Sequence, residues 1–172
     1  MRNSGEHHGS ITRCAVLLWL LFPQMLCRAI PAGQPSDLPG SLGLLKLTTR
    51  LQGKEAQSFL DNLHDKNIAP VNSLIGKYRW GKSQAFLFIS IYTSDFLASA
   101  VNKKMSSLSS RGNQPFSDYS QLERRSTSIS RCTGLGQTHF FFKHLNGVYW
   151  LSVDPGISDA TMRALVNFLT KS

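Results

Sequence analysis

Cysteine is scarce in this 172-residue chain, which contains only Cys14, Cys27 and Cys132. The first two fall within an apolar N-terminal run, so a chain cleaved after that run keeps Cys132 alone. One cysteine cannot form an internal disulfide, and the core must therefore stabilise the mature domain. We expect Cys132 to be buried and inert, although Arg125 and Arg131 would lower the pKa of its thiol if they lay close to it.

The sequence also lacks a long uninterrupted apolar run. CAVLLWLLFPQMLC, residues 14–27, is interrupted by Pro23 and Gln24 and is too short for a comfortable transmembrane helix. Basic residues precede it and small residues follow it, which is the layout of a secretory signal peptide. We therefore predict an exported protein, periplasmic or secreted, with residues 1–29 as a signal peptide cleaved after Ala29.

Three alternatives to this cleavage stay open. Ala32 offers a second site, Cys27 ends the apolar run and could be lipidated, and an uncleaved segment would anchor the chain to the membrane. Residues 30–41 are rich in Pro, Gly and Ser, which predicts a flexible spacer. Residues 42–172 then have the length of a single domain.

Acidic residues are few: the chain has 10 Asp and Glu against 19 Lys and Arg, and residues 30–172 alone keep a net charge of +7. Four of the arginines lie in residues 111–131, which are also rich in Ser, Gly and Asn. Lipid head groups or an acidic polymer could bind such a stretch. No aromatic stacking series or nucleic-acid motif accompanies the charge, so we interpret it as a solvated loop and predict no nucleic-acid partner.

Motifs of catalysis and cofactor binding are missing as well. The sequence contains no H-E-x-x-H, G-x-S-x-G or C-x-x-C-H. GKS at residues 81–83 lacks the upstream glycine of a phosphate-binding loop, and Gly134 and Gly136 lack the third glycine of a dinucleotide loop. We predict no cofactor and no metal, and no pattern supports an enzyme.

What the sequence does contain is the periodicity of an α+β domain. Strands are predicted over residues 42–51, 74–80 and 84–92, and over both arms of a hairpin that turns at Asn146-Gly147. Helices are predicted after Gly53, after a Ser94 N-cap and after a Ser158 cap. The predicted buried stripe is Leu97, Ala100, Val101, Met105 and Leu108 in the second helix and Met162, Leu165, Val166 and Leu169 in the third. Residues 112–134 are predicted to be a long irregular excursion with one short strand around residues 126–132. Two β-β-α units after an initial β-α indicate a mainly antiparallel sheet with three helices on one face.

The stretch THFFFKHLNGVYWLSVDP, residues 138–155, concentrates the aromatic residues. Alternation places Phe140, Phe142, Tyr149, Leu151 and Val153 on the core side, and it places His139 and Phe141 on the other side with Lys143 paired to Trp150. His144 shares the core side near the turn. Because the two histidines point to opposite sides, they do not form a joint metal site.

The side of the sheet that faces away from the core is unusually aromatic. In the first hairpin the same alternation brings Phe86 and Phe88 to that side. We expect the excursion, a second copy of the protein or a small molecule to cover it. The candidate ligand or partner face consists of Phe86, Phe88, Gln137, His139, Phe141, Lys143 and Trp150.

Three patterns resemble a group of uncharacterised exported bacterial proteins. They are GKEAQSFLDNLH, GKYRWGKSQAFLFISIY and GLGQTHFFFKHLNGVYWLSVD, and the resemblance covers roughly residues 42–170. It implies export and an α+β fold but no mechanism. If the group has functional residues, the match points to Gln137, His139 and His64.

Two hypotheses of function follow. The first is a non-enzymatic module of the cell envelope that binds itself or another envelope protein through the aromatic side of the sheet. The second is a small-ligand-binding or catalytic domain centred on His139 and Gln137.

Overall fold

The computed structural model describes residues 37–63, 70–112 and 115–171. It confirms an α+β fold with an antiparallel sheet, here of eight strands, and three helices. The strands are β1 (Ser41–Leu42), β2 (Leu45–Gln52), β3 (Asn72–Trp80), β4 (Ser83–Ile91), β5 (Phe116–Arg124), β6 (Thr127–Gly134), β7 (Gln137–His144) and β8 (Gly147–Val153). The helices are α1 (Lys54–Leu63), α2 (Asp95–Ser110) and α3 (Ser158–Leu169), and a short 3-10 turn, Pro155–Ile157, precedes α3.

The strands follow the order β1-β2-β3-β4-β8-β7-β6-β5, and every neighbouring pair is antiparallel. Two hairpins, β3–β4 and β7–β8, therefore meet at the centre of the sheet through β4 and β8. At this central contact Leu87 pairs with Leu151, and Phe88 pairs with Trp150. A helix follows each hairpin, α2 after β4 and α3 after β8.

We call the two sides of the sheet the core face and the outer face. The core face carries the largest buried cluster, which includes Leu74, Leu87, Ile89, Phe140, Phe142, Tyr149 and Leu151. Leu38, within the predicted spacer, is buried in the same cluster. The outer face carries the alternate side chains of the central strands, among them Ile75, Phe86, Phe88, Phe141 and Trp150.

The three helices divide between these faces. The predicted stripe of α3, Met162, Leu165, Val166 and Leu169, is buried in the core-face cluster. In contrast, α1 and α2 pack on the outer face. Ala56 and Leu60 of α1 contact Ile75, and Ala98 of α2 contacts Val148. The expectation of three helices on one face is therefore not confirmed. Helical periodicity shows which side of a helix is apolar, but it does not show which face of a sheet that side meets.

Most of the predicted excursion is a β-hairpin. Strands β5 and β6 pair antiparallel and extend the sheet beyond β7. They turn at Arg125 and Ser126, whose φ angles are 49° and 61°. The short strand predicted around residues 126–132 corresponds to β6. The prediction of irregular structure is wrong for β5, which carries few apolar residues; in the two strands Ile129 alone contributes a fully buried aliphatic side chain.

The ends and faces of the helices agree only in part with the sequence pattern. Ser94 is the N-cap of α2 as predicted, since its hydroxyl accepts a hydrogen bond of 3.2 Å from the backbone N–H of Leu97. The stripe predicted for α2 is correct in part: Val101 and Met105 pack against the cluster of Ala98 and Val148, whereas Leu97 and Leu108 are 44% exposed. Tertiary contacts therefore rotate the helix so that the leucines at the margin of the predicted stripe face solvent.

The cap predicted for α3 is wrong as well. Ile157 is its N-cap residue, and the hydroxyl of Ser158 instead donates to the carbonyl oxygen of Pro155. Among the residues that the structure describes, no helix is long and apolar enough to span a membrane.

Candidate functional site

The aromatic hairpin β7–β8 has the predicted faces but a different register. His144 pairs with Gly147 and Lys143 with Val148, so the turn is Leu145-Asn146 and not Asn146-Gly147. Each partner thus moves by two positions, and an even shift leaves every side chain on its predicted face. Phe141, and not Lys143, lies directly across from Trp150.

Asn146 is the physical reason for this register. Its side-chain amide donates a 2.7 Å hydrogen bond to the carbonyl oxygen of Tyr92, and its own carbonyl accepts from the N–H of Tyr92 at 2.9 Å. The residue is 7% exposed, so both bonds are shielded from water. Contacts with the segment after β4 therefore override the local preference for an Asn-Gly turn.

His139 occupies a buried position on the outer face. It is 4% exposed, and both nitrogens of its ring are bonded. Trp150 donates from Nε1 to Nδ1 at 3.1 Å, so Nδ1 is unprotonated; Nε2 therefore carries the proton and donates to the carbonyl oxygen of Gly134 at 3.0 Å. Burial lowers the pKa of His139, which favours this neutral form, whereas the bond to Gly134 opposes the shift.

Two further aromatic rings, those of Phe141 and Phe116, pack against the hydrogen-bonded pair His139–Trp150. Phe141 stacks on Trp150 with 5.1 Å between ring centroids. Phe116, at the start of β5, meets the edge of His139 at 5.0 Å and lies 5.7 Å from Trp150. The predicted alternative that the 112–134 segment covers the outer face is therefore realised locally, by one side chain of that segment. Sequence reasoning missed Phe116 because the residues around it read as a loop.

Gln137 belongs to a polar cluster at one edge of the same face. The hydroxyl of Ser152 donates a short hydrogen bond to the side-chain oxygen of Gln137, whose amide donates to Asp154 at 3.4 Å. The other carboxylate oxygen of Asp154 accepts from the backbone N–H of Gln84 at 2.8 Å. This network joins β7, β8 and β4 and fixes the polar groups beside Phe86, which pairs with Ser152.

Lys143 is not paired with Trp150, contrary to the prediction, because its partner in the hairpin is Val148. Its ammonium group forms a short ion pair with Asp95 in the first turn of α2. The pair links β7 to this helix. The cation–π contact of the outer face involves another lysine: Nζ of Lys77 lies 5.4 Å from the centroid of the Phe86 ring.

Phe86 and Phe88 form the more open part of the outer face, between the areas covered by α1 and α2. Their rings stack at 6.5 Å, and Phe59 of α1 stacks on Phe88 at 6.3 Å. Phe59 is 44% exposed, and the other two are half-buried. A continuous aromatic strip, Phe59–Phe88–Phe86, is thus accessible beside the half-buried Trp150.

Three further candidates are a metal site, the thiol of Cys132 and the side chain of His64. In the described ranges, no group of three His, Cys, Asp or Glu residues could hold a metal ion. Cys132 is fully buried as predicted, and burial raises the pKa of its thiol to about 11 despite the opposing charge of Arg131. His64 and the predicted signal peptide, residues 1–29, lie outside the described residues.

Comparison with known proteins leaves the chain without a family. No family model matches it, and no curated protein matches it. It is similar to a solved structure described as a GTP binding regulator from Thermotoga maritima, with 12% identity over 70% of this chain and 75% of that chain and a TM-score of 0.43. A likeness this loose supports no argument about function, which must come from the residues of the chain itself.

Proposed function

We propose that this chain is an exported, non-enzymatic binding module that contacts a protein of the cell envelope through the strip Phe59–Phe88–Phe86 and the adjoining Trp150. The observation that supports this proposal is the strip itself. Stacked aromatic rings that stay partly exposed beside a covered cluster are typical of binding surfaces. The polar cluster at Gln137 and Asp154 would form its hydrophilic rim.

The rival proposal, chemistry at His139 and Gln137, receives less support from the geometry. Both nitrogens of His139 are occupied by structural hydrogen bonds, and its burial favours the neutral ring. A general acid or base needs a nitrogen that can reach a substrate proton. Gln137 is likewise bonded through both its oxygen and its nitrogen.

Site-specific photocrosslinking in the natural host tests the binding proposal. A photoreactive aromatic residue at Phe86 should give a discrete crosslinked species. The matched control is the same residue at Trp80, which is 53% exposed at the β3–β4 turn. Equal yields at the two positions, or no product at Phe86, would contradict a binding role for the strip. Sedimentation velocity then distinguishes a second copy of the chain from another protein.

Export is tested separately, by the mass of the protein isolated from the envelope or the medium. The expected mature chain begins at residue 30, because the basic start and the apolar run before it have the layout of a signal peptide. A chain that retains Met1 and fractionates with the cytosol would contradict export while leaving the binding surface untouched.

A further inference from the structure

The solvent side of α2 combines large apolar and basic side chains. Phe96 is 79% exposed, and Leu97 and Leu108 are each 44% exposed, because the helix turns Ala98 and Ser109 towards the sheet. Leu145, at the β7–β8 turn, is 45% exposed. That turn is hydrogen-bonded to Tyr92, shortly before the start of α2. A further exposed apolar side chain therefore lies at a turn that is bonded to the segment before α2.

Basic residues lie among these apolar residues. Lys104 and Arg111 stand seven and fourteen positions after Leu97, which places them on the same side of the helix. Lys103 stands seven positions after Phe96, and all three basic residues are exposed. The one acidic residue of α2, Asp95, is paired with Lys143. The exposed side therefore combines positive charge with apolar anchors.

We propose that α2 lies on the surface of an anionic phospholipid bilayer, with Phe96, Leu97 and Leu108 inserted among the acyl chains near the head groups. Lysine is depleted in the buried centres of protein–protein interfaces, which makes a protein partner a poorer fit. At a bilayer, lysine and arginine side chains reach the anionic head groups while their apolar neighbours insert. This inference uses none of the residues of the aromatic strip and stands apart from the proposed binding function.

Fluorescence quenching of the full chain by acyl-brominated phospholipids tests the orientation. The probe variant is Phe96→Trp, and the matched control is Leu135→Trp at the β6–β7 turn, where the native leucine is 75% exposed. Quenching above the wild-type level is expected for the first variant alone, on phosphatidylcholine vesicles that contain phosphatidylglycerol. In the Phe96→Trp background, changing Lys103 and Lys104 to Gln should raise the lipid concentration for half-maximal quenching by about 30-fold, since each basic residue near an anionic surface contributes about 1 kcal/mol.

Several outcomes would overturn the proposal. Equal quenching of the two probes would mean that α2 does not orient the protein. Sedimentation with vesicles without quenching at position 96 would mean that another segment, such as the N-terminal one, holds the chain there. The emission of Phe96→Trp could also shift to the blue without lipid, in a way that depends on protein concentration. That result would mean that α2 binds a second copy of the chain.

Discussion

At the scale of single residues, the bond between His139 and Trp150 determines the chemistry of the outer face. The indole can only donate, so it requires an unprotonated Nδ1 on the imidazole. A proton on that nitrogen would place two donors against each other beside the rings of Phe116 and Phe141. The pair therefore stabilises the folded chain at neutral pH, and this stabilisation is lost in acid.

The pH dependence of stability should expose this weakness. Burial lowers the pKa of His139 in the folded chain below 6.5, so the unfolded chain binds the proton more readily. The stabilising contribution is complete above pH 6.5 and is lost as pH falls from there towards the folded pKa. The denaturation midpoint of the wild type should therefore fall between pH 7 and pH 5, and it should fall less for His139→Gln. Burial also lowers the pKa of His144, so His144 contributes to the acid sensitivity in the same direction. The variant His144→Gln separates its contribution from that of His139. Identical slopes for wild type and His139→Gln would refute a role for this bond.

Truncation of the indole tests the packing around it. Trp150→Ala removes the stack on Phe141, the contact with Phe116 and the hydrogen bond to His139. We expect a loss of about 2–4 kcal/mol in the free energy of unfolding. Trp80→Ala, at a 53% exposed position, should cost less than about 1 kcal/mol. Urea denaturation of the two variants measures the difference, and equal midpoints would show that Trp150 packs no better than a surface side chain.

At the scale of elements, Asn146 connects parts of the chain that are far apart in sequence. Its bonds to Tyr92 hold the β7–β8 turn against the segment between β4 and α2. One buried amide thereby sets the register of the hairpin and also positions the beginning of a helix. The Asn-Gly pair identifies a hairpin, but the choice between two registers depends on a partner 54 positions away.

Removing this amide should loosen both elements. Asn146→Ala leaves the carbonyl oxygen of Tyr92 without the side-chain donor, at a cost of about 1–3 kcal/mol. Hydrogen exchange should then accelerate in the β7–β8 turn and in the first turn of α2. Asn167→Ala, on the exposed side of α3, is the control and should change neither. Faster exchange in the turn alone would mean that Asn146 does not couple the two elements.

The elements that sequence reasoning found are those with a strong internal period. Alternation assigned both faces of β7 and β8 correctly, and α3 shows its predicted apolar stripe. A strand was predicted at the position of β6, but β5 was missed because a polar strand at the edge of a sheet, paired on one side only, needs little alternation. The candidate site was predicted in part, since alternation identified the aromatic face. Three of its features depend on tertiary contacts that the pattern does not show: the packing of Phe116 on His139, the hydrogen bond between His139 and Trp150, and the ion pair between Lys143 and Asp95.

At the scale of the whole molecule, the contact between β4 and β8 joins the two halves of the sheet. Strands β2–β4 lie on one side and β5–β8 on the other. The core-face cluster crosses this contact, since it contains Leu74 from one half and Phe140 from the other. The described chain should therefore unfold as one cooperative unit.

A cavity at the contact should weaken both halves together. Leu87 is fully buried and pairs with Leu151, so Leu87→Ala should cost about 2–5 kcal/mol. Hydrogen exchange measured by mass spectrometry should show the same loss of protection in β3 and in β7. Loss of protection confined to β3 would mean that the halves unfold independently. The exposed Leu44→Ala serves as the control.

The outermost strand, β5, has a consequence for how this chain behaves when it is concentrated. Its register with β6 shifts between Ser117 and Ser120, and Asp118 there has a φ of 52°. A straight, unpaired strand offers a free row of amide and carbonyl groups onto which other chains can polymerise. The irregularity at Asp118 bends that row, and its carboxylate, bonded to Ser117 and Thr133, keeps a negative charge at the margin. An irregular, charged edge of this kind opposes the addition of strands from other chains and therefore opposes fibre growth from β5.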